Sequence, residues 1–326
     1  MQLFEYSRAT DVAGAIASHS LQTSFIAGGT TLLDLMKLDV ERPHKLIDIN
    51  QLPLNKVEKT AGGGVRIGAL VRNSDLAHHP HITGQYPVLS EALLSGASAQ
   101  LRNMATTGGN LLQRTRCVYF RDTSMACNKR EPGSGCSAID GHNRMLAILG
   151  TSEHCIASNP SDMNVALTAL EATIHISGAK GDRSVPIHDF YTLPGNTPHI
   201  ENVLEPGDLI THVSLPAPPA GSKSLYVKLR DRASYEFALA SAAVVLSVNG
   251  GNVQQVRLAM GGIGAKPWRC LNAEKALLGK AATPENFSAA ASSELNAAKP
   301  QSENAFKVEL AARCLRHALS QAVSLA

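Results

Sequence analysis

Four of the chain's six cysteines, Cys117, Cys127, Cys136 and Cys155, fall within one stretch that lacks helix or strand periodicity, while Cys270 and Cys314 lie far from it and from each other. A long irregular segment inside a compact protein leaves its backbone entropy unopposed unless something holds it. Four thiolates closing on one inorganic centre would hold it. The spacing, C-x9-C-x8-C-x18-C, lacks the close pairs of a zinc ribbon or of the common ferredoxin runs. It suits ligands drawn from separate turns of a wrapping loop. Arg114, Arg116, Arg121, Lys129, Arg130 and Arg144 outnumber Asp122, Glu131, Asp140 and Glu153 there, which would offset an anionic cluster. Pro132, Gly133 and Gly135 supply tight turns beside Cys136. On these residues alone a cluster, two disulfides, a zinc site and unrelated free thiols all remain open.

The chain's 326 residues exceed one small core, so two or three domains are expected. A net charge of +3 gives no argument for nucleic acid or a membrane surface, and one Trp with six Tyr makes a base-stacking platform a poor reading. No apolar run approaches the ~20 residues that span a bilayer. The first residues, MQLFEYSRATDVAGAIASHS, lack a basic start followed by an apolar core, so no signal peptide is expected there. Metal or redox chemistry is then a better reading of the cysteines than a secreted disulfide framework.

The organisation reads as α/β at the start and α+β at the end. Helix 11–19, strand 24–27, helix 32–37 and strand 45–49 form a small α/β unit of residues 1–55. Strand 65–69 and helices at 74–76 and 87–99 follow, then a glycine-containing turn over 100–112 and the cysteine segment, 113–159. Pro160-Ser161-Asp162 opens a helix through Leu170, and strands follow at 173–177 and 209–215. The PAPPAG run at 216–221 is the best linker, dividing a second unit (56–218) from a third (222–326) with strands at 224–229, 238–248 and 253–260 and helices at 271–279 and 305–324. Asn249-Gly250 predicts a hairpin turn.

Two glycine pairs carry the binding signal. Ile26-Ala27-Gly28-Gly29-Thr30-Thr31-Leu32-Leu33 places paired glycines at a strand end, where backbone N–H groups approach an anion closely. It is not the G-x-G-x-x-G fingerprint, so a standard Rossmann site is disfavoured. Ala105-Thr106-Thr107-Gly108-Gly109-Asn110-Leu111-Leu112 repeats the theme, and two such turns make a shared diphosphate cradle more plausible. Ser161-Asp162 reads as a helix cap or as a hydroxyl-binding carboxylate. Lys228, in a strand, is either solvated or a cation beside a flavin. The histidines show no ligand spacing; His78, His79 and His81 read as a surface loop. Cys270 and Cys314 read as packing residues.

AGGTTLLDLMK (27–37), ATTGGNLLQ (105–113), PSDMNVALTALEA (160–172), VKLRDRASYEFALASAAV (227–244) and GGIGAKPWR (261–269) together resemble the FAD-binding medium subunits of the molybdenum hydroxylases, the xanthine dehydrogenase and carbon monoxide dehydrogenase flavoprotein group. TRCVYFRD (115–122), CNKREPGSGC (127–136) and LGTSEHCIA (149–157) are similar to the bacterial periplasmic aldehyde oxidoreductase branch of that family. The resemblance implies a PCMH-type FAD-binding fold of two subdomains followed by a carbon monoxide dehydrogenase flavoprotein-like α+β domain. It implies that the 26–33 loop and the Thr106–Asn110 turn, flanked by Ala105 and Leu112, bind the FAD diphosphate. Asp162, preceded by Ser161, would bond ribityl or ribose hydroxyls, and Lys228 would lie by the isoalloxazine. Cys117, Cys127, Cys136 and Cys155 would ligate a [4Fe-4S] cluster in an insertion over 113–159.

It further implies an electron-transferring subunit of a heterotrimer with a small [2Fe-2S] subunit and a large molybdenum-cofactor subunit that oxidises an aldehyde. No catalytic residue is expected in this chain, since the chemistry would sit on FAD, and no segment matches the nicotinamide contacts of NAD-reducing members. Periplasmic location by co-export with a signal-bearing partner is the expectation, with cytoplasmic location the alternative. A stand-alone flavin oxidase and a zinc-stapled assembly module are the competing readings.

Overall fold

The structure, a computed structural model, describes residues 1–325. Its first unit is a three-stranded parallel sheet in which β1 (Glu5–Arg8) and β2 (Thr23–Ile26) flank β3 (Lys45–Asp48), with α1 (Val12–Ala17) and α2 (Leu32–Lys37) as the crossovers. The Asp11 carboxylate caps α1 by accepting from Gly14 N at 2.7 Å. Ile47 of β3 packs with Ala9, Ala15 and Ile49 in this small core, while Leu35 of α2 joins the apolar cluster of the cysteine segment.

The second unit is a five-stranded antiparallel sheet in the order β4 (Val57–Lys59), β5 (Val65–Gly68), β8 (Leu209–Leu215), β6 (Thr173–Gly178), β7 (Gly181–Pro186). Between β5 and β6 come the helices α3 (Asn73–His78), α4 (Pro80–Gln85), α5 (Pro87–Ser95), α6 (Ala99–Met104), α7 (Thr107–Leu111), α8 (Val118–Arg121) and α9 (Asp162–Ala169), and α10 (Ile187–Phe190) follows β7. The segment expected as a turn over 100–112 is corrected here: it holds α6 and α7. Ser98 caps α6 and Thr106 caps α7, so two hydroxyls start helices where glycine suggested only bends. Likewise His78 and His81 sit on α3 and α4, with His79 between them as the cap of α4, rather than in a loop.

β9 (Lys223–Leu229), β10 (Ala240–Asn249), β11 (Asn252–Gly261) and β12 (Trp268–Arg269) form the antiparallel sheet of the third unit, covered by α11 (Leu271–Leu277), α12 (Pro284–Leu295) and α13 (Phe306–Ser324). The hairpin at 249–252 turns on Gly250 and Gly251, both at positive φ (57° and 79°). β1, β4, β7, β12, α4, α8, α10 and α12 had no counterpart in the expected elements. β10 shows why this sheet reads as an unbroken apolar run. Its alternate residues Ala240, Ala242, Val244 and Leu246 join the core under α11–α13, while Ala243 and Val245 join the core of the second unit. The core therefore crosses the 216–221 linker, and Tyr226 and Ala259 pack in it beside Met163 and Val165 of α9.

A candidate flavin trench and a four-thiol pocket

The two glycine turns meet. A Cβ on Gly28 would collide with the Met104 carbonyl oxygen and crowd Ala105, so only glycine lets the first loop lie against the end of α6. Gly29 has φ +71°, and a Cβ on Gly108 would come within 3.1 Å of the Ala69 Cβ, tighter than ordinary contact. The backbone N–H groups of Gly28, Gly29, Thr30 and Thr31 find no acceptor among the described residues. On the facing turn, by contrast, Thr107, Gly108 and Asn110 donate to the carbonyls of Val71, Ala69 and Thr106. These four residues are partly exposed to the cavity, and a row of free N–H groups on a loop fixed by glycine contacts is a ready anion site. Asn110 holds its Oδ1 toward Ser161 Oγ (2.8 Å) and Gln113 Nε2, leaving its Nδ2 for the cavity.

From this cradle the surface opens both ways. One lobe, about 320 Å³, is lined by the 24–32 strand and loop with Leu70, Thr106, Gly108, Leu112 and Leu209. The other, about 600 Å³, runs past Ala105, Asn110, Asp162 and Lys228 to Phe237. Thr30, Thr31 and Gly109 line both lobes, so they form one trench. Every residue singled out for the cofactor lines it except Leu33, which packs on Gly29, and Ser161, which caps α9 by accepting from Asn164 N.

Asp162 and Lys228, read separately in the sequence, are one unit. Lys228 Nζ lies 2.8 Å from Asp162 Oδ2 and donates to Ser95 O at 3.0 Å, and Tyr226 donates its hydroxyl to Asp162 Oδ1 at 2.5 Å. Only 4% of the Lys228 side chain is exposed, which rules out the solvated-strand reading, and burial raises the Tyr226 phenol well above its ordinary range. The carboxylate is thus satisfied from within the protein on both oxygens. Trench residues that the sequence did not mark include Arg102, Arg116, Arg232 and Tyr235, the last held at φ +55°. Their only signal was membership of cation-rich or polar runs, which solvated surfaces share.

The four clustered cysteines come together as expected. Cys117, Cys127, Cys136 and Cys155 line one pocket, none of the six cysteines is disulfide-bonded, and Cys270 and Cys314 are buried in the third unit. Burial pushes the Cys117 thiol up to about 11, and raises that of Cys155 against the opposing pull of Lys129. Among the described residues no three His, Cys, Asp or Glu side chains close to single-ion distance. The thiols surround about 10 Å³ of free space, so admitting a cluster requires their side chains to swing outward. The set of four thiols is a donor set that fits a thiolate-ligated cluster. Side chains already staple this backbone. Asn128 Oδ1 accepts from Gly133 N and Gly135 N (3.1 and 2.8 Å), Arg130 donates to Tyr119 O and Phe120 O, and Arg114 lies over the Phe120 ring. Asn143 and Asn304 link it to the α12–α13 turn.

The model of the FAD binding domain in molybdopterin dehydrogenase matches residues 2–218, and that of the CO dehydrogenase flavoprotein C-terminal domain matches 225–322. The chain belongs to this family of FAD-binding medium subunits of molybdenum hydroxylases. Within the family it is 51% identical to the aldehyde oxidoreductase FAD-binding subunit PaoB of Escherichia coli over 99% of both chains. It is 31% identical to the glyceraldehyde dehydrogenase medium chain of Sulfolobus acidocaldarius over 85% of this chain and 82% of that one. The carbon monoxide dehydrogenase structure from Hydrogenophaga pseudoflava superposes with a TM-score of 0.78 at 27% identity, covering 99% of this chain and 98% of that one. The family membership makes this an oxidoreductase subunit with an FAD-binding domain; nothing in these likenesses speaks to an iron–sulfur centre.

Proposed function

We propose that this chain is the flavoprotein subunit of a heterotrimeric molybdenum-containing aldehyde oxidoreductase, carrying electrons from partner molybdenum and [2Fe-2S] centres to FAD and on to an external acceptor. The observation that carries the reading is the row of unpaired backbone N–H groups from Gly28 to Thr31, set across from Asn110 in a two-lobed trench of about 320 and 600 Å³. Those donors with the Thr30 and Thr31 hydroxyls would hold the diphosphate, the apolar lobe by Phe25, Ile49 and Leu209 the adenosine, and the wider lobe the tricyclic ring. Bound flavin supplies two-electron chemistry that side chains lack. The chain's own part is to fix that ring and set its electrostatics: Asp162, Lys228 and Tyr226 form a buried, mutually satisfied floor that resists rearrangement.

Cys117, Cys127, Cys136 and Cys155 are proposed to hold a [4Fe-4S] cluster, a reading supported by the loose spacing and by the four thiols sharing one pocket, which their side chains would have to open. Aldehyde as substrate of the complex rests on the PaoB likeness. Periplasmic location by export with a signal-bearing partner is part of the same proposal; fractionation that finds the assembled complex only in cytosol would remove it. Anaerobic purification of the full chain with FAD, iron and acid-labile sulfide quantified tests the core. One FAD and about four irons per chain are expected; yellow material with zinc in place of iron would keep the flavin and dismiss the cluster.

A further inference from the structure

A cation without an ion-pair partner among the described residues faces the wide lobe of the trench. Three charged pairs there are closed: Asp34 with Arg121 (2.5 Å), Asp162 with Lys228 (2.8 Å) and Glu236 with Arg232 (3.4 Å). Two arginines of the lining, Arg102 and Arg116, have no carboxylate within ion-pair distance among the described residues. Arg102 is occupied structurally, donating to Leu94 O and Gly96 O at the end of α5. Arg116 gives one N–H to Arg114 O (2.7 Å) and rests its guanidinium over the Phe237 ring, centroid 5.2 Å away. Asp34, the carboxylate on this side of the lobe, is already engaged by Arg121. Such a half-buried cation is held in place at a cost unless an anion arrives opposite it.

From this geometry we infer that Arg116 is the residue that answers the negative charge a bound flavin ring gains on reduction, a task the sequence suggested for Lys228. Lys228 is ill-suited because its charge is already met by Asp162. Arg116 also touches the second site. It lines, with its neighbour Cys117, a cavity of about 190 Å³ that reaches Asp162 and Phe237, and so lies between the trench and the thiol pocket. A fixed positive charge there raises the electron affinity of both centres and does not depend on the cluster being present. The inference rests on FAD occupying the trench.

Sulfite tests it on the purified FAD-loaded chain without any substrate. Sulfur donates its lone pair to form a bond to the flavin, the ring takes the pair as negative charge, and the yellow absorbance bleaches. Arg116→Gln is expected to weaken sulfite binding at least about tenfold, the scale of one unit charge within several ångströms in a partly buried site. Arg116→Lys should keep it within about threefold of wild type, and Phe237→Leu, which removes the ring under the guanidinium, should fall between. A glutamine variant that retains FAD with wild-type sulfite affinity overturns the proposal; if that variant merely binds FAD more loosely, the arginine serves the diphosphate. Should the glutamine variant hold no FAD, a Phe237→Leu chain unchanged in both FAD and sulfite affinity overturns it instead. Failure of FAD to bind the wild-type chain at all would instead reject the trench assignment.

Discussion

The trench and the thiol pocket are built on opposite plans. The trench is made by backbone. Its cradle is two glycine turns pressed together, its donors are main-chain N–H groups, and the elements that carry it are pinned into two cores. The pocket is made by side chains hung on a segment with one short helix in it, and what order the segment has comes from asparagine and arginine reaching its carbonyls and amides. A site of the first kind exists before its ligand and tolerates the ligand's loss. A site of the second kind gains much of its order from what its donors grip, because binding free energy there is folding free energy.

Removing one donor from each site should therefore give unequal results. Cys127→Ser is expected to abolish iron and sulfide while FAD stays bound at wild-type stoichiometry. Proteolysis should then cut within 113–159 and spare the rest. Iron retained at wild-type level in the serine variant, or FAD lost together with iron, would break the contrast. The next largest effect belongs to the trench floor. Asp162→Asn leaves the Lys228 ammonium buried without its counter-charge, and loss of about 3–5 kcal/mol in urea unfolding is expected. Adding Lys228→Met to it should recover part of that loss, since the uncompensated charge is then gone. Gly28→Ala should act more locally. Its methyl must push the loop off Met104 O, displacing the free N–H row, and FAD affinity should fall about 10–100-fold with iron content unchanged.

The same contrast explains what was legible in the sequence. Glycine pairs at strand ends and the four-cysteine stretch are local signals, and the residues they mark do meet in space. The hidden parts are those made by long-range pairing. Asp162 and Lys228 looked like independent candidates because nothing local says that β9 runs beside the start of α9. His175 and His212 showed no ligand spacing, yet they sit directly opposite on β6 and β8 and stack at 3.9 Å. Burial, with His175 and Arg66 nearby, pushes His212 down to about 4, which marks a neutral packed pair. Arg116 was visible only as one of many cations. The irregular segment was correctly read as needing an anchor, but Asn128, Asn143 and Asn304 provide part of it, and an asparagine's partners cannot be inferred from its neighbours in the chain.

That partial anchoring permits a finer test of where the pocket's order comes from. Lys307, on α13, is fully buried and donates to Met145 O, Leu146 O and Gly262 O at 3.2, 2.9 and 2.6 Å, tying the cysteine segment to the third unit. Burial, aided by Arg144, lowers its ammonium from 10.5 to about 7. A lysine with a depressed folded value is protonated in the unfolded chain and neutral in the folded one between those limits. The unfolded state then binds more protons, so the lysine's contribution to stability rises as pH goes from about 7 toward 10 and falls away below. Wild type should gain about 1–3 kcal/mol on Lys307→Met between pH 7 and 9 in paired urea titrations. A flat difference would mean that the three carbonyls keep the ammonium charged throughout. The tie to the cysteine segment would then be an ionic clamp, and the pocket would owe more of its order to protein and less to whatever its thiols bind.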